Sequence, residues 1–188
     1  MGAIYPKRRF VPVVFREAMS AVVLREAEPR DDVAIGELLV EAFVSTYARK
    51  MPEVTVTAQR MADLRDVAAK RAMGAEIWVA ERIGVVVGTV TVWRPGAARS
   101  EAWVKGAADL RQLAVSGAVR GSGVSRLLMD HAESWVRAQG YAGVCLHVRR
   151  GAGGVRSVYE KRGYQRRPEG DLDLLPEVFL EAFYLPLD

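Results

Sequence analysis

Cysteine occurs once in the 188 residues, at Cys145, and histidine twice, at His131 and His147. A single cysteine excludes an intrachain disulfide. Cys145 lies in the apolar run "GVCLHV", which reads as a small buried side chain rather than a nucleophile. Three such residues spread along the chain give no metal-ligand spacing, so metal chemistry is not expected. No stretch reaches the roughly 18 uninterrupted apolar residues of a membrane-crossing helix. The run "FVPVVF" near the start is short and followed by Arg16 and Glu17, which argues against a secretory signal. Strong charge of one sign is missing too. The 27 Lys and Arg against 23 Asp and Glu leave a formal +4, and basic runs such as Lys7-Arg8-Arg9, Arg149-Arg150 and Arg166-Arg167 are short and scattered. Nucleic-acid binders concentrate basic residues in a stripe. Neither nucleic acid nor membrane is an expected partner, and the cytoplasm is the expected compartment.

What the chain does have is apolar content: 50% of its residues are hydrophobic, enough for a core without crosslinks. Residues 1–20, with Pro6 and Pro12 and no helical period, read as an arm, and 21–188 as one domain. "AVVLREA" reads as a strand. Ile35, Leu38, Leu39, Ala42 and Phe43 fall at helical spacing, with Asp31 or Asp32 as the N-cap. "TAQRMADLRDVAAKRA" reads as one second helix, with Met61, Leu64, Ala68 and Arg71 on a face. "EIWVAERIGVVVGTVTVW" reads as two strands around a turn at Arg82-Ile83-Gly84, and "ADLRQLAV" as a third. A long helix follows, with Val124, Leu127, Leu128, His131, Ala132 and Trp135 as its apolar stripe and Gly140 as a left-handed cap. "GVCLHV", "VRSVYEKR" and "VFLEAFYLPL" complete the order as strand, short helix and strand. The fold class is mixed α/β, with helices on the faces of a sheet.

The stretch "LAVSGAVRGSGVSRLLMDHA" joins a strand to that long helix through Arg120-Gly121-Ser122-Gly123. Small residues at a helix start present N–H groups that the helix cannot satisfy, a site suited to phosphate oxygens, although a tight turn without a ligand has the same composition. A Walker loop needs Gly-Lys-Ser/Thr, and a dinucleotide loop needs Gly-x-Gly-x-x-Gly on an early strand; neither is present.

The arrangement resembles the GNAT superfamily of acyl-CoA N-acyltransferases. Its signature, Gln/Arg-x-x-Gly-x-Gly/Ala, reads here Arg120-Gly121-Ser122-Gly123-Val124-Ser125, with Ser125 where Gly or Ala is usual. "SVYEKRGYQRR" resembles the family's second block, one strand later, and "DLRQLAV" its preceding strand. Ala152 stands where many members have Asn, which removes a side-chain contact. The resemblance covers roughly residues 21–187. It implies a twisted, largely antiparallel sheet of six to seven strands with about four helices, and central parallel strands splayed apart.

The resemblance further implies acetyl-CoA as co-substrate, lying in that gap. The backbone of Arg120, Gly121, Ser122, Gly123, Val124 and Ser125 holds the pyrophosphate, and Leu113, Ala114 and Val115 meet the pantetheine. Val115 N–H polarises the thioester carbonyl. Tyr159 contacts the cofactor and is the candidate proton donor to the thiolate. Asp109 stands where many members carry glutamate and is the candidate base, with Glu76 and Glu101 as alternatives. His147 reads as packing. Phe43, Tyr47 and Trp78 are candidate acceptor-lining residues. The expected activity is N-acetylation of a primary amine, of a small molecule or a peptide, by direct attack. A catalytically weak acyl-CoA-binding sensor remains the alternative, and a homodimer is compatible with either.

Overall fold

The computed structural model describes residues 22–187, so the arm expected over residues 1–20 lies outside the described residues. Strand β1 (Val23–Glu26) leads through a 3-10 turn into helix α1 (Asp32–Lys50). Asp31 is the N-cap residue of α1, one of the two expected, but its side chain serves the turn and not the helix N–H groups. Its carboxylate accepts the Glu28 N–H at 2.8 Å and both Arg25 Nη groups, at 2.6 and 2.8 Å, while Asp32 pairs with Arg71. The expected second helix is broken. Helix α2 (Ala58–Arg65) is capped by Thr57, whose Oγ1 accepts the Arg60 N–H at 3.1 Å, and it ends at Asp66, where ψ is +59°. Helix α3 (Val67–Ala72) then starts in a new phase. The break lets Lys70 fold back and donate its ammonium to the Asp63 and Asp66 carbonyls, and it buries Val67 beside Leu64 in place of Ala68.

Strands β2 (Ala75–Arg82) and β3 (Val85–Trp93) form the expected hairpin, with Ile83 at φ 50° and Gly84 at φ 72°. Two positive φ angles match the turn twist to the strand twist. Strand β4 (Ala108–Val115) follows, with helix α4 (Val124–Ala138), strand β5 (Gly143–Arg149) and helix α5 (Gly153–Glu160) after it. The chain ends in strands β6 (Gln165–Arg166), β7 (Leu172–Leu174) and β8 (Val178–Pro186). The sheet order is β1-β2-β3-β4-β5-β8-β6, with β7 on β8. All neighbours are antiparallel except β4 and β5. The mixed, largely antiparallel sheet is therefore as expected. The additions are the two short strands β6 and β7 and the helix gained at Asp66.

Helices α1 and α2 cover one face of the sheet through Ile35, Leu39 and Leu64; the other is covered by α4 through Val124, Leu128, Ala132 and Val136 and by α5 through Tyr159. Glycine lets a helix approach its neighbour closely at two places. A Cβ on Gly36 would lie 2.9 Å from the Arg65 Cα, where α1 crosses the end of α2. A Cβ on Gly88 would lie 2.9 Å from both Leu128 Cδ1 and Val124 Cγ1, where α4 sits on β3. The α4 stripe is rotated from the expected one. Met129 and Val136 are buried and Leu127 is exposed, while Gly140 at φ 71° follows the helix end as expected.

Candidate active site

Strands β4 and β5 pair at only two positions, Ala108 with Val144 and Asp109 with Cys145, and then part. The gap between them is the floor of a cleft of about 420 Å³. The wall on the β4 side is backbone. Ser116 N–H donates to the Val87 carbonyl at 2.9 Å, which makes the neighbouring Val115–Gly88 pair the non-bonded type of an antiparallel ladder. Val115 thus turns its N–H and C=O away from β3, toward the gap. A bulge at Gln112, with φ 56°, leaves Leu113 in phase with Val115. Ala114 also lines the cleft, but its peptide groups face β3.

One end of the cleft is the glycine loop. Gly121 and Gly123 have φ of 80° and 87°, and a Cβ on either would meet nothing within 4 Å, so the loop is open above its backbone. Gly123 is the N-cap of α4 and no side chain caps the helix, so its first-turn N–H groups face outward unsatisfied by the helix. That arrangement fits a phosphate group. Arg120 and Ser125 line the cleft itself, and Arg120 Nη2 reaches the Ser45 hydroxyl on α1 at 3.2 Å. Gly121, Ser122 and Gly123 lie exposed between them; Val124 turns its side chain into the core. The Ser122 hydroxyl donates to the Val119 carbonyl at 2.6 Å, which holds the loop's shape.

Tyr159, from α5, lines the cleft with only 8% of its surface exposed, and burial pushes its phenol up to about 12. Its ring packs edge-on to Tyr164 at 5.5 Å. Phe43 and Tyr47, one turn apart on α1, line the opposite wall and meet edge to face with centroids 6.0 Å apart. Trp78 is not with them. It is buried on the other face of the sheet, against His131 and Trp135 at 5.2 Å each.

Asp109 does not line the cleft either. It sits at the last paired position, where the two strands have not yet separated, and is 0% exposed. Its Oδ2 accepts the Glu101 N–H at 2.8 Å and its buried Oδ1 has no hydrogen-bond partner among the described residues. Burial raises this carboxyl to about 6, against the pull of the Glu101 N–H and the Arg111 charge. Glu76 is taken up by Arg94 at 2.5 Å, outside the cleft. The carboxylate that does line the cleft is Glu101, paired with Arg111 at 3.1 Å, and His147 stands beside it. The sequence carries one signal for His147: it lies two residues past Cys145, on the strand that borders the gap. Cys145 itself is fully buried, and burial pushes its thiol up, so it is inert as expected.

The model of the Acetyltransferase (GNAT) family matches residues 33–164. "N-acetyltransferase 8" of Rattus norvegicus is 32% identical over 120 residues, which cover 61% of this chain and 51% of that protein. The Mus musculus protein of the same name is 33% identical over 120 residues, 61% of this chain and 50% of its own. The chain thus spans about half the length of the curated relatives it matches. Among solved structures, a GNAT-family acetyltransferase from Staphylococcus aureus Mu50 aligns with a TM-score of 0.70 at 16% identity, covering 89% of this chain and all of that one. The structure of yncA from Salmonella typhimurium with its cofactor acetyl-CoA aligns with a TM-score of 0.61 at 22% identity, over 90% and 95% of the two chains. At these identities the likeness is one of fold.

Proposed function

The chain belongs to the acetyltransferase (GNAT) family, and from that premise we propose that it moves an acetyl group from acetyl-CoA to a primary amine of a small molecule. The observation that carries this reading is the fork: β4 leaves its ladder after two paired positions and turns free backbone groups into a cleft that ends at an uncapped helix start. The names of the rodent relatives support an amine as acceptor, and the acetyl-CoA bound to yncA supports the donor.

In this reading the N–H groups around Gly121 to Ser125 hold the pyrophosphate of the co-substrate, aided by the α4 dipole. Its pantetheine runs along β4 toward the closed end of the fork, exchanging amide hydrogen bonds with Leu113 and Val115. Leu113 N–H, nearer the closed end than Val115, then bonds the thioester oxygen and stabilises the negative charge that develops there when the amine attacks; Val115 meets the pantetheine before it. The amine enters along Phe43 and Tyr47. Tyr159 protonates the departing thiolate. Its phenol, raised to about 12, keeps its proton at every physiological pH, and the cleft wall holds it dry. Asp109 acts through Glu101, whose backbone it fixes, and is a positioning residue.

The test is release of free thiol from acetyl-CoA in the presence of a panel of primary amines, with acetylated product identified by mass. Amine-dependent release with stoichiometric acetyl-amine bears the reading out. Acetyl-CoA binding without release toward any amine refutes it in favour of a sensor.

A further inference from the structure

The closed end of the fork holds a second titratable arrangement, on β5. His147 lies two positions beyond the last β4–β5 pair, as Arg111 does on β4, so the two face each other where the strands separate. Glu101 enters between them from the preceding loop. One of its oxygens meets Arg111 Nη2 at 3.1 Å and the other faces His147 Nδ1 at 3.9 Å. The opposite ring nitrogen, Nε2, lies 2.9 Å from the Gly170 carbonyl. A carbonyl only accepts, so Nε2 carries the proton and Nδ1 keeps its lone pair. The Trp103 ring packs on the imidazole at 5.1 Å, and a Cβ on Gly170 would overlap that same indole, so glycine is needed for this carbonyl to reach the ring. The spacing of 3.9 Å exceeds a hydrogen bond, and no described residue donates to Nδ1.

We propose that His147 Nδ1 is the base that takes the proton from the incoming ammonium, with Glu101 stabilising the imidazolium that results. This rests on the acetyl-transfer reading above. The ammonium gives one proton to Nδ1, and its freed lone pair forms the N–C bond as the thioester π pair moves to oxygen. The C–S pair then leaves with sulfur as the carbonyl reforms. Sulfur takes a proton from Tyr159, and the phenol is restored by the second proton lost from nitrogen. Imidazolium returns the first proton to solvent, so one acetyl group moves and one net proton is released.

The charged groups facing the ring are Glu101 from the loop before β4, Arg111 from β4 and Asp171 beside Gly170. Asp171 is held by Arg166 at 2.5 Å and by the Ala182 N–H at 2.9 Å. Burial holds the His147 imidazole below its ordinary range, which keeps it neutral at pH 7, with the Nδ1 lone pair free to take a proton.

The experiment compares the pH dependence of kcat/KM for the parent and His147→Gln with one accepted amine, alongside nitrogen-15 spectra of the two histidines. Gln keeps a donor for the Gly170 carbonyl and has no lone pair of useful basicity. For an amine of pKa near 9, the variant is expected to lose about 10²-fold at pH 7 and to regain activity about tenfold per pH unit as free amine accumulates. Acetyl-CoA binding and melting temperature stay with the parent. The spectra are expected to show His147 protonated at Nε2. A loss of equal factor at every pH, no loss, or a proton on Nδ1 overturns the proposal while the acetyl-transfer reading stands. A parent that releases no thiol with any amine removes that reading and the base with it.

Discussion

Replacing Ser125 with glutamate sets stability and binding in opposition. Ser125 is the second residue of α4, exposed at the cleft end where the uncapped N–H groups point outward. Without ligand, a carboxylate in the first turn is favoured by the helix dipole, by about 0.3–1 kcal/mol. Ser125→Glu is therefore expected to melt at or slightly above the parent. With ligand the sign reverses. Two unit charges about 5 Å apart repel by about 3 kcal/mol at an effective dielectric of about 20, and exposure to salt reduces this to about 2 kcal/mol, or about 30-fold in Kd. At acetyl-CoA about 100 times the parent Kd, the parent gains about 2.7 kcal/mol and the variant about 0.9. For a chain of this length those correspond to shifts of about 5–11 °C and about 2–4 °C. Scanning fluorimetry of both proteins with and without acetyl-CoA reads all four temperatures. A full-sized ligand shift in the variant would refute the placement of the pyrophosphate at this loop.

Two further outcomes follow from the same geometry. Tyr159→Phe keeps the buried ring and its contact with Tyr164, so acetyl-CoA binding should persist while kcat falls about 10²–10⁴-fold; turnover within twofold of the parent would return Tyr159 to packing alone. Asp109 makes folding pH-dependent. Its folded value of about 6 lies above the ordinary 3.8, so the folded state holds the proton more tightly. Its stabilisation is full below about pH 4 and is lost as pH rises through about 6, by about 3 kcal/mol. Asp109→Asn retains an oxygen for the Glu101 N–H and removes that loss. Its melting profile should be flatter from pH 4 to 7, and it should be the more stable protein at pH 7. Parallel profiles for the two proteins would contradict a buried, raised carboxyl.

The parts of the fold legible in the sequence were those set by local rules. Hydrophobic period fixed the long helices and strands, Arg82-Ile83-Gly84 the hairpin, and Gly140 the end of α4. The break at Asp66 depends on Lys70 reaching back to two carbonyls, which no local pattern encodes. Strands β6 and β7 have two and three residues, too few for a period, and exist only because β8 templates them. Within the site, Phe43, Tyr47, Arg120, Ser125 and Tyr159 do meet at one cleft. Trp78 does not, because the face it takes is decided by its register between β1 and β3. Asp109 missed the cleft by lying below the point where β4 and β5 separate, and that point is a property of two strands together. The same distance of two residues puts His147 at the cleft rather than in the core.

The fork also gives the sheet an extra edge. An ordinary open sheet has two outer strands whose unpaired backbone invites pairing with other chains, and proteins blunt them with charge, bulges or cover. Beyond Asp109, β4 is an edge strand in the interior of the sheet, and it carries two of those devices, the bulge at Gln112 and the charge of Arg111. The cleft supplies the third. Residues of helices α1 and α5 line the cleft along this edge and cover it. On the acetyl-transfer reading proposed above, binding the pantetheine is the addition of an amide-bearing thread to this inner edge, held by main-chain hydrogen bonds as in strand addition.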